Sequence, residues 1–319
     1  MTLVQNRIIQ TTLNQPGGLP YHVGNTPLLP LRRVTSRLPA SVNVFAKAEW
    51  FNPGGSVKDR PALNIIRTAL ESGKLIPGMR LLDSTSGNMG IAYATLGAAL
   101  GIPITLTMPA NASPERISIL KALGVELILT DALEGSDGAI VEARRMAAEH
   151  PDLYFYANQY DNPANWKAHY DSTGPEIWGE THGQITHFIA GLGTSGTLTG
   201  VGKFLRVMDP SIQIVAGQPD AAFHGLEGLK YMKTAIKPGI YDPDFPDRTI
   251  EVSTESAYEM VRKLAKEEGL FVGISSGAAA VAAIQVAAEL DSGTVVTIFP
   301  DAGYKYLSDT RLWSGENNG

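Results

Sequence analysis

Residues 49–60 read Glu49-Trp50-Phe51-Asn52-Pro53-Gly54-Gly55-Ser56-Val57-Lys58-Asp59-Arg60, and Lys58 is the side chain there with chemistry to offer. Asn52-Pro53-Gly54-Gly55 is a turn signal. Ser56 followed three residues later by Asp59 resembles a capping box, with Asp in place of Glu or Gln. Ala62, Ile65, Ile66, Ala69 and Leu70 then recur at helical spacing. The spacing predicts Lys58 in the first helical turn, at the positive end of the helix dipole, where a cation costs about 0.3–1 kcal/mol. That is less than one pKa unit, so an amine starting from about 10.4 reaches neutrality only if burial adds several units more. A buried lysine of lowered pKa is the residue that forms Schiff bases. The plainer alternative is a solvated lysine paired with Asp59.

Three other segments join a strand to a helix. Gly191-Leu-Gly-Thr-Ser-Gly-Thr197 follows an apolar strand. Its glycines permit a tight turn, and free N–H groups at a helix start bind phosphate. The same run matches the dinucleotide pattern Gly191-x-Gly193-x-x-Gly196, with Asp220 near the end of the next strand. Taken alone, the loop accommodates a nicotinamide cofactor, another phosphate-bearing cofactor or no ligand. Lys58 separates the first two, because a nicotinamide enzyme has no need of it. Thr85-Ser86-Gly87-Asn88 offers hydroxyls and N–H groups suited to a carboxylate, or to capping by Ser84 or Thr85. Ser275 follows the apolar run 270–274 and either faces a ligand or caps the helix after it. His22, His169, His187 and His224 have no metal-like spacing and read as structural or surface residues; no metal site is expected.

The elements that must position these residues alternate. Strands are expected at 42–47, 80–83, 104–108, 126–129, 185–190, 212–216 and 294–299. Helices are expected at 61–72, 90–99, 114–123, 138–149, 198–207, 254–268 and 278–290. This is the pattern of parallel sheets covered by helices, in which ligands lie at the carboxyl ends of strands. Residues 219–253 are turn-rich and suit a mobile or substrate-facing segment.

The 319 residues suffice for about two domains, and 44% apolar with 18% charged residues describe a globular protein with a sizeable core. A net charge of −6 with no long basic run argues against nucleic acid. Cysteine is absent, which excludes disulfides and thiolate chemistry. Residues 1–10 do not read as a signal peptide, and 270–290 read as a strand end with a buried helix instead of a membrane span. A cytoplasmic location is expected.

Asn52-Pro-Gly-Gly-Ser-Val-Lys58-Asp-Arg60 resembles the cofactor-lysine segment of the pyridoxal-phosphate (PLP) enzymes of fold type II, and within them the cysteine synthases. The resemblance continues in family order through Thr85–Asn88, Asn158–Asn165, Gly191–Thr197 and Gly273–Ala278. It implies an α/β fold of two three-layer parallel-sheet domains, of the tryptophan synthase β-like architecture. The smaller domain would span 49–154 and the larger 1–48 plus 155–319, with PLP in the cleft. By the same resemblance Lys58 carries PLP and later takes the substrate's Cα proton. Gly193, Thr194, Ser195, Gly196 and Thr197 hold its phosphate; Ser195 replaces a glycine common in the family and adds a hydroxyl donor. Asn88 meets the ring oxygen, and Ser275, with Ser276 as fallback, faces the pyridine nitrogen. Thr85, Ser86, Gly87, Met89 and Gln159 bind the substrate α-carboxylate, Met89 standing where sulfhydrylases usually have threonine. Lys230 falls where some phosphoserine-using members carry an arginine. Lys58-Asp-Arg-Pro61 and Asp301–Ser308 are closer to B-type members. The implied reaction is β-replacement on O-phosphoserine or O-acetylserine by sulfide or another sulfur donor, giving L-cysteine, in a homodimer. Cystathionine β-synthase-like and diaminopropionate-synthase chemistry, a nicotinamide-dependent oxidoreductase and a non-catalytic ligand-binding member of the fold are the alternatives.

Overall fold

The computed structural model describes residues 9, 11–13, 15–85 and 87–314. Among them lie strands β1 (Leu28–Pro30), β2 (Val42–Ala48), β3 (Arg80–Ser84), β4 (Ile104–Pro109), β5 (Glu126–Thr130), β6 (Tyr154–Tyr156), β7 (His187–Gly191), β8 (Gln213–Pro219), β9 (Arg248–Val252) and β10 (Gly293–Phe299). The chain divides into two compact units. One comprises residues up to Gly24 and Asn52–Asn165; the other comprises Asn25–Phe51 and residues from Trp166 on.

The first unit is built on a four-stranded sheet in the order β5-β4-β3-β6, parallel throughout. Its helices are α1 (Asp59–Glu71), α2 (Asn88–Leu100), α3 (Pro114–Ala122) and α4 (Gly135–Glu149). Successive strand side chains point to opposite faces. Leu81 accordingly joins the core formed with Ile65, Ile66, Ile91 and Leu96 of α1 and α2. Its neighbour Leu82 packs against Ala143 and Met146 of α4. Three layers result: helices, sheet, helix.

The second unit has a six-stranded sheet in the order β1-β2-β10-β7-β8-β9, parallel except for the antiparallel edge strand β1. Helices α5 (Gly174–Glu180), α6 (Gly196–Met208), α7 (Thr254–Lys263) and α8 (Ile274–Ala287) cover it. Val44, Ile189, Val215 and Val295 form one core with Val261 of α7 and Ala278, Ala282 and Val286 of α8. On the opposite face Gly202 of α6 lets the helix lie close to Ile214, whose side chain would sit 3.1 Å from a Cβ at that position. The expected two-sheet, three-layer α/β class is borne out.

Local differences have physical reasons. The helix at Lys58 begins two residues later than a box capped by Ser56 requires. Asp59 therefore reaches back to the N–H of Gly54, and Ser56 Oγ receives the N–H of Lys58 at 3.3 Å. The segment 270–274 contributes only the single bridge Val272 to Ala302, because α8 already starts at Ile274. The turn-rich stretch 219–253 closes with β9, whose Ile250 and Val252 face the core while Arg248, Thr249 and Glu251 remain exposed. Lys47 is wholly buried on β2; its Nζ donates to the Thr26 carbonyl at 2.5 Å and pairs with Glu176 at 2.9 Å and Glu180 at 2.7 Å on α5.

Candidate active site

Lys58, Thr85, Gly87, Asn88, Met89 and Gln159 lie in the first unit, and Gly193–Thr197, Lys230 and Ser275 in the second. Ser86 lies outside the described residues. Lys58 is the N-cap residue of α1 and half-buried. The Asn52–Gly55 turn and the Asp59–Gly54 bond fix the backbone that presents it.

At the end of β3 the chain turns into α2 through Thr85 and Gly87. Thr85 Oγ1 accepts the N–H groups of Gly87 and Gly90, both at 3.1 Å, so the threonine caps the helix. Met89 is buried in the apolar core of its unit, which places its side chain away from any polar ligand. Its backbone N–H, in the first turn of α2, has no acceptor among the described residues. An anion at this helix start would therefore meet an open donor and the positive end of the dipole. Gly87 is required by its neighbour: a Cβ there would lie 2.7 Å from Nε of the buried Arg116. That guanidinium, which sequence reasoning missed, brings a positive charge against the same loop.

Gln159 is 75 positions from Ser84 but is bound to it: its Nε2 donates to the Ser84 carbonyl at 2.7 Å. The backbone N–H of Gln159 donates to the carboxylate of Asp83 at 3.2 Å, and its carbonyl accepts from the Asn165 amide at 2.8 Å. Gln159 and the Thr85 loop are thus one assembly.

In the second unit Ser195 is the N-cap residue of α6, with φ +67°. This left-handed conformation is uncommon for a residue with a Cβ. The Ser195 Oγ is buried and has no hydrogen-bond partner among the described residues. The N–H groups of Gly193, Ser195 and Thr197 likewise have no acceptor there. Thr194 Oγ1 accepts the N–H of Gly196 at 3.4 Å. Thr197 Oγ1 lies 3.2 Å from Nε2 of the buried His169, whose Nδ1 is 2.9 Å from Thr173 Oγ1. Among the described residues His169 joins no group that could hold a metal ion; it braces the loop. The loop is also backed by residues 228–230: a Cβ on Gly193 would lie 2.4 Å from the Gly228 carbonyl, and Lys230 donates its N–H to the Leu192 carbonyl at 2.7 Å. Ser275 and Ser276 open α8. Ser276 Oγ donates to the Asp301 carbonyl at 3.4 Å, while Ser275 Oγ has no partner among the described residues.

A buried hydroxyl and a set of open N–H groups at the start of a helix form a cradle for a phosphate. Residues 19–301 match the family described as "Pyridoxal-phosphate dependent enzyme". The chain belongs to the pyridoxal-phosphate-dependent enzymes. It is 53% identical over 300 residues to a cysteine synthase of Aquifex aeolicus (strain VF5), covering 92% of this chain and 91% of the relative. Among solved structures, cysteine synthase from Entamoeba histolytica matches with a TM-score of 0.89 at 38% identity, over 95% of this chain and 92% of that one. O-acetylserine dependent cystathionine beta-synthase from Helicobacter pylori matches with a TM-score of 0.86 at 34% identity, over 92% of this chain and 97% of that one. The expected cofactor is borne out, and the dinucleotide reading of Gly191–Gly196 is set aside. The unpartnered Ser195 hydroxyl and the open N–H groups around it fit the cofactor's phosphate. Among the described residues no helix is long and apolar enough to cross a membrane.

Proposed function

We propose that this chain makes L-cysteine by replacing the β-substituent of an activated L-serine with sulfide. The observation that carries the reading is the pair of anion sites. One, at the start of α6, suits a phosphate; the other, at the start of α2 beside Gln159, suits an α-carboxylate. Identity of 53% to a cysteine synthase supports the same reaction.

Lys58 would carry the cofactor, and Gly193–Thr197 would hold its phosphate. Asn88 would meet the ring oxygen, and Ser275, with its hydroxyl uncommitted, would serve the pyridine nitrogen while Ser276 serves the fold. Bound PLP supplies the electron sink that lets the substrate's Cα–H bond break. A neutral hydroxyl opposite the pyridine nitrogen does not enforce its protonation, which favours β-replacement over transamination. Thr85, Gly87 and the N–H of Met89, with Gln159, hold the substrate carboxylate and so fix which bond at Cα faces Lys58. The Lys58 amine takes the Cα proton, the β-substituent leaves with its bonding electrons, hydrosulfide bonds to Cβ through sulfur, and the Lys58 ammonium returns the proton to Cα.

Lys230 is anchored by its backbone beside the phosphate loop and is half-buried. A cation in that place assists a phosphate leaving group, so O-phosphoserine is the substrate that its position favours. Lysine binds as a point charge, without the bidentate fork of arginine. The test is a steady-state comparison of O-phosphoserine and O-acetylserine with sulfide, in the wild type and Lys230→Ala. The variant is expected to lose about tenfold in kcat/KM for the phosphate ester, a loss of about 1.4 kcal/mol, and little for the acetate ester. Equal losses for both would remove the role of Lys230, and no cysteine from either ester would remove the function. Homocysteine in place of sulfide tests the cystathionine-forming alternative that the Helicobacter pylori neighbour raises. A homodimer and a cytoplasmic location rest on the family resemblance; light scattering of the holoenzyme tests the first.

A further inference from the structure

Asp83 is the penultimate residue of β3, one position before Ser84 and the carboxylate loop, and it is completely buried. Its Oδ1 accepts the N–H of Ser84 at 2.9 Å. Its Oδ2 accepts the hydroxyl of Tyr93 on α2 at 3.0 Å and the N–H of Gln159 at 3.2 Å. Three donors around two oxygens is the arrangement of a carboxylate that serves only as an acceptor. The ionisable groups acting on it are Tyr93 from α2 and Asp161 beyond Gln159, and its own charge acts in turn on Tyr156 from β6 and on Tyr160. Asp137 of α4 acts on Tyr160, and Arg144 of α4 is engaged 3.4 Å away with Asp161. Asp83 is thus a buried acid held by hydrogen bonds, and an acid is a costly choice at a position where a neutral acceptor would hold the fold.

We propose that Asp83 is a positioning residue for the substrate α-carboxylate: it fixes the backbone of Gln159 so that the Gln159 amide, with one N–H committed to the Ser84 carbonyl, presents its other N–H to the substrate. The proposal rests on the reading of Gln159 as a carboxylate ligand. An amide has two N–H donors, and only the bond to Ser84 is made by this one among the described residues. Protonating Asp83 places a hydrogen on an oxygen that already receives a donor. The Tyr93 hydroxyl can turn to accept that hydrogen, whereas the backbone N–H of Gln159 can only donate, and its bond, at 3.2 Å, is the longest of the three and the one weakened. Burial pushes Asp83 up to about 7, which puts this change inside the working range of pH.

The test uses holoenzyme with O-acetyl-L-serine and sulfide at pH 8, in the wild type, Asp83→Asn, Gln159→Leu and the double variant. Asp83→Asn is expected to raise KM about tenfold with kcat within threefold, and the double variant to match Gln159→Leu alone. Multiplying effects in the double variant, or an unchanged KM in Asp83→Asn while Gln159→Leu raises it, would overturn the role of Asp83. An unchanged KM in Gln159→Leu would overturn the carboxylate reading itself. A second measurement needs no variant: calorimetric binding of L-alanine to wild-type holoenzyme is expected to weaken at least threefold as pH falls from 8 to 6. A Kd independent of pH over that range would also overturn the proposal.

Discussion

Tyr93 donates its hydroxyl to Oδ2 of Asp83 at 3.0 Å, and neither side chain meets solvent. Burial raises Asp83 from its ordinary 3.8 to about 7, outweighing the lowering by its three hydrogen bonds. In the unfolded chain the same carboxyl loses its proton near 3.9. Between these values the native state binds the additional proton, so this group's contribution to stability falls as pH rises from about 4 to 7 and is fully lost above. From pH 5 to pH 8 the loss is about 2–3 kcal/mol. Urea unfolding of the wild type and Asp83→Asn at both pH values should show the variant gaining that much relative to the wild type. A difference independent of pH would place the ionisation elsewhere.

Ser195 has a hydroxyl without a partner in the fold, so its truncation removes no bond from the protein. Ser195→Ala should leave the melting temperature of the cofactor-free protein within about 2 °C. It should weaken PLP binding by about 3–10-fold, the size of one hydrogen bond. Equilibrium dialysis and differential scanning calorimetry on the same preparation check both halves.

Lys47 is buried with Glu176 and Glu180 on α5 and the carbonyl of Thr26. Removing the cation leaves two carboxylates facing each other around an empty site. Lys47→Ala should cost about 3 kcal/mol, at the lower end for buried pairs because both glutamates retain some solvent contact. Denaturant unfolding measures it; a cost under about 1 kcal/mol would show that solvent reaches the pair.

Much of this was legible from residue order because strand and helix periodicities differ and each motif sat on a strand-to-helix turn. Strands such as 104–108 and 126–129 and the helix after Lys58 emerged at nearly their observed limits. The three-residue edge strands β1 and β6 are shorter than any window in which a period of two can be counted. β9 hid in the turn-rich 219–253 because its charged and apolar residues read as surface without the partner strand β8. Lys58, the two glycine-containing loops and Ser275 are candidates that local patterns offer. Asp83, Arg116 and His169 are not, since each makes its contact with a residue far along the chain: Asp83 with Gln159, 76 positions on, and His169 with Thr197, 28 positions on. A single acid closing an apolar strand directly before Ser84 and Thr85 was the one available signal.

The attachment of the cofactor to Lys58 is tested most directly by reducing the PLP-loaded protein with borohydride, digesting it and locating the phosphopyridoxyl mass by tandem mass spectrometry. The expected result is stoichiometric label on the peptide that contains Lys58, and none in Lys58→Ala. Label on another lysine, or undiminished label in the variant, would contradict it.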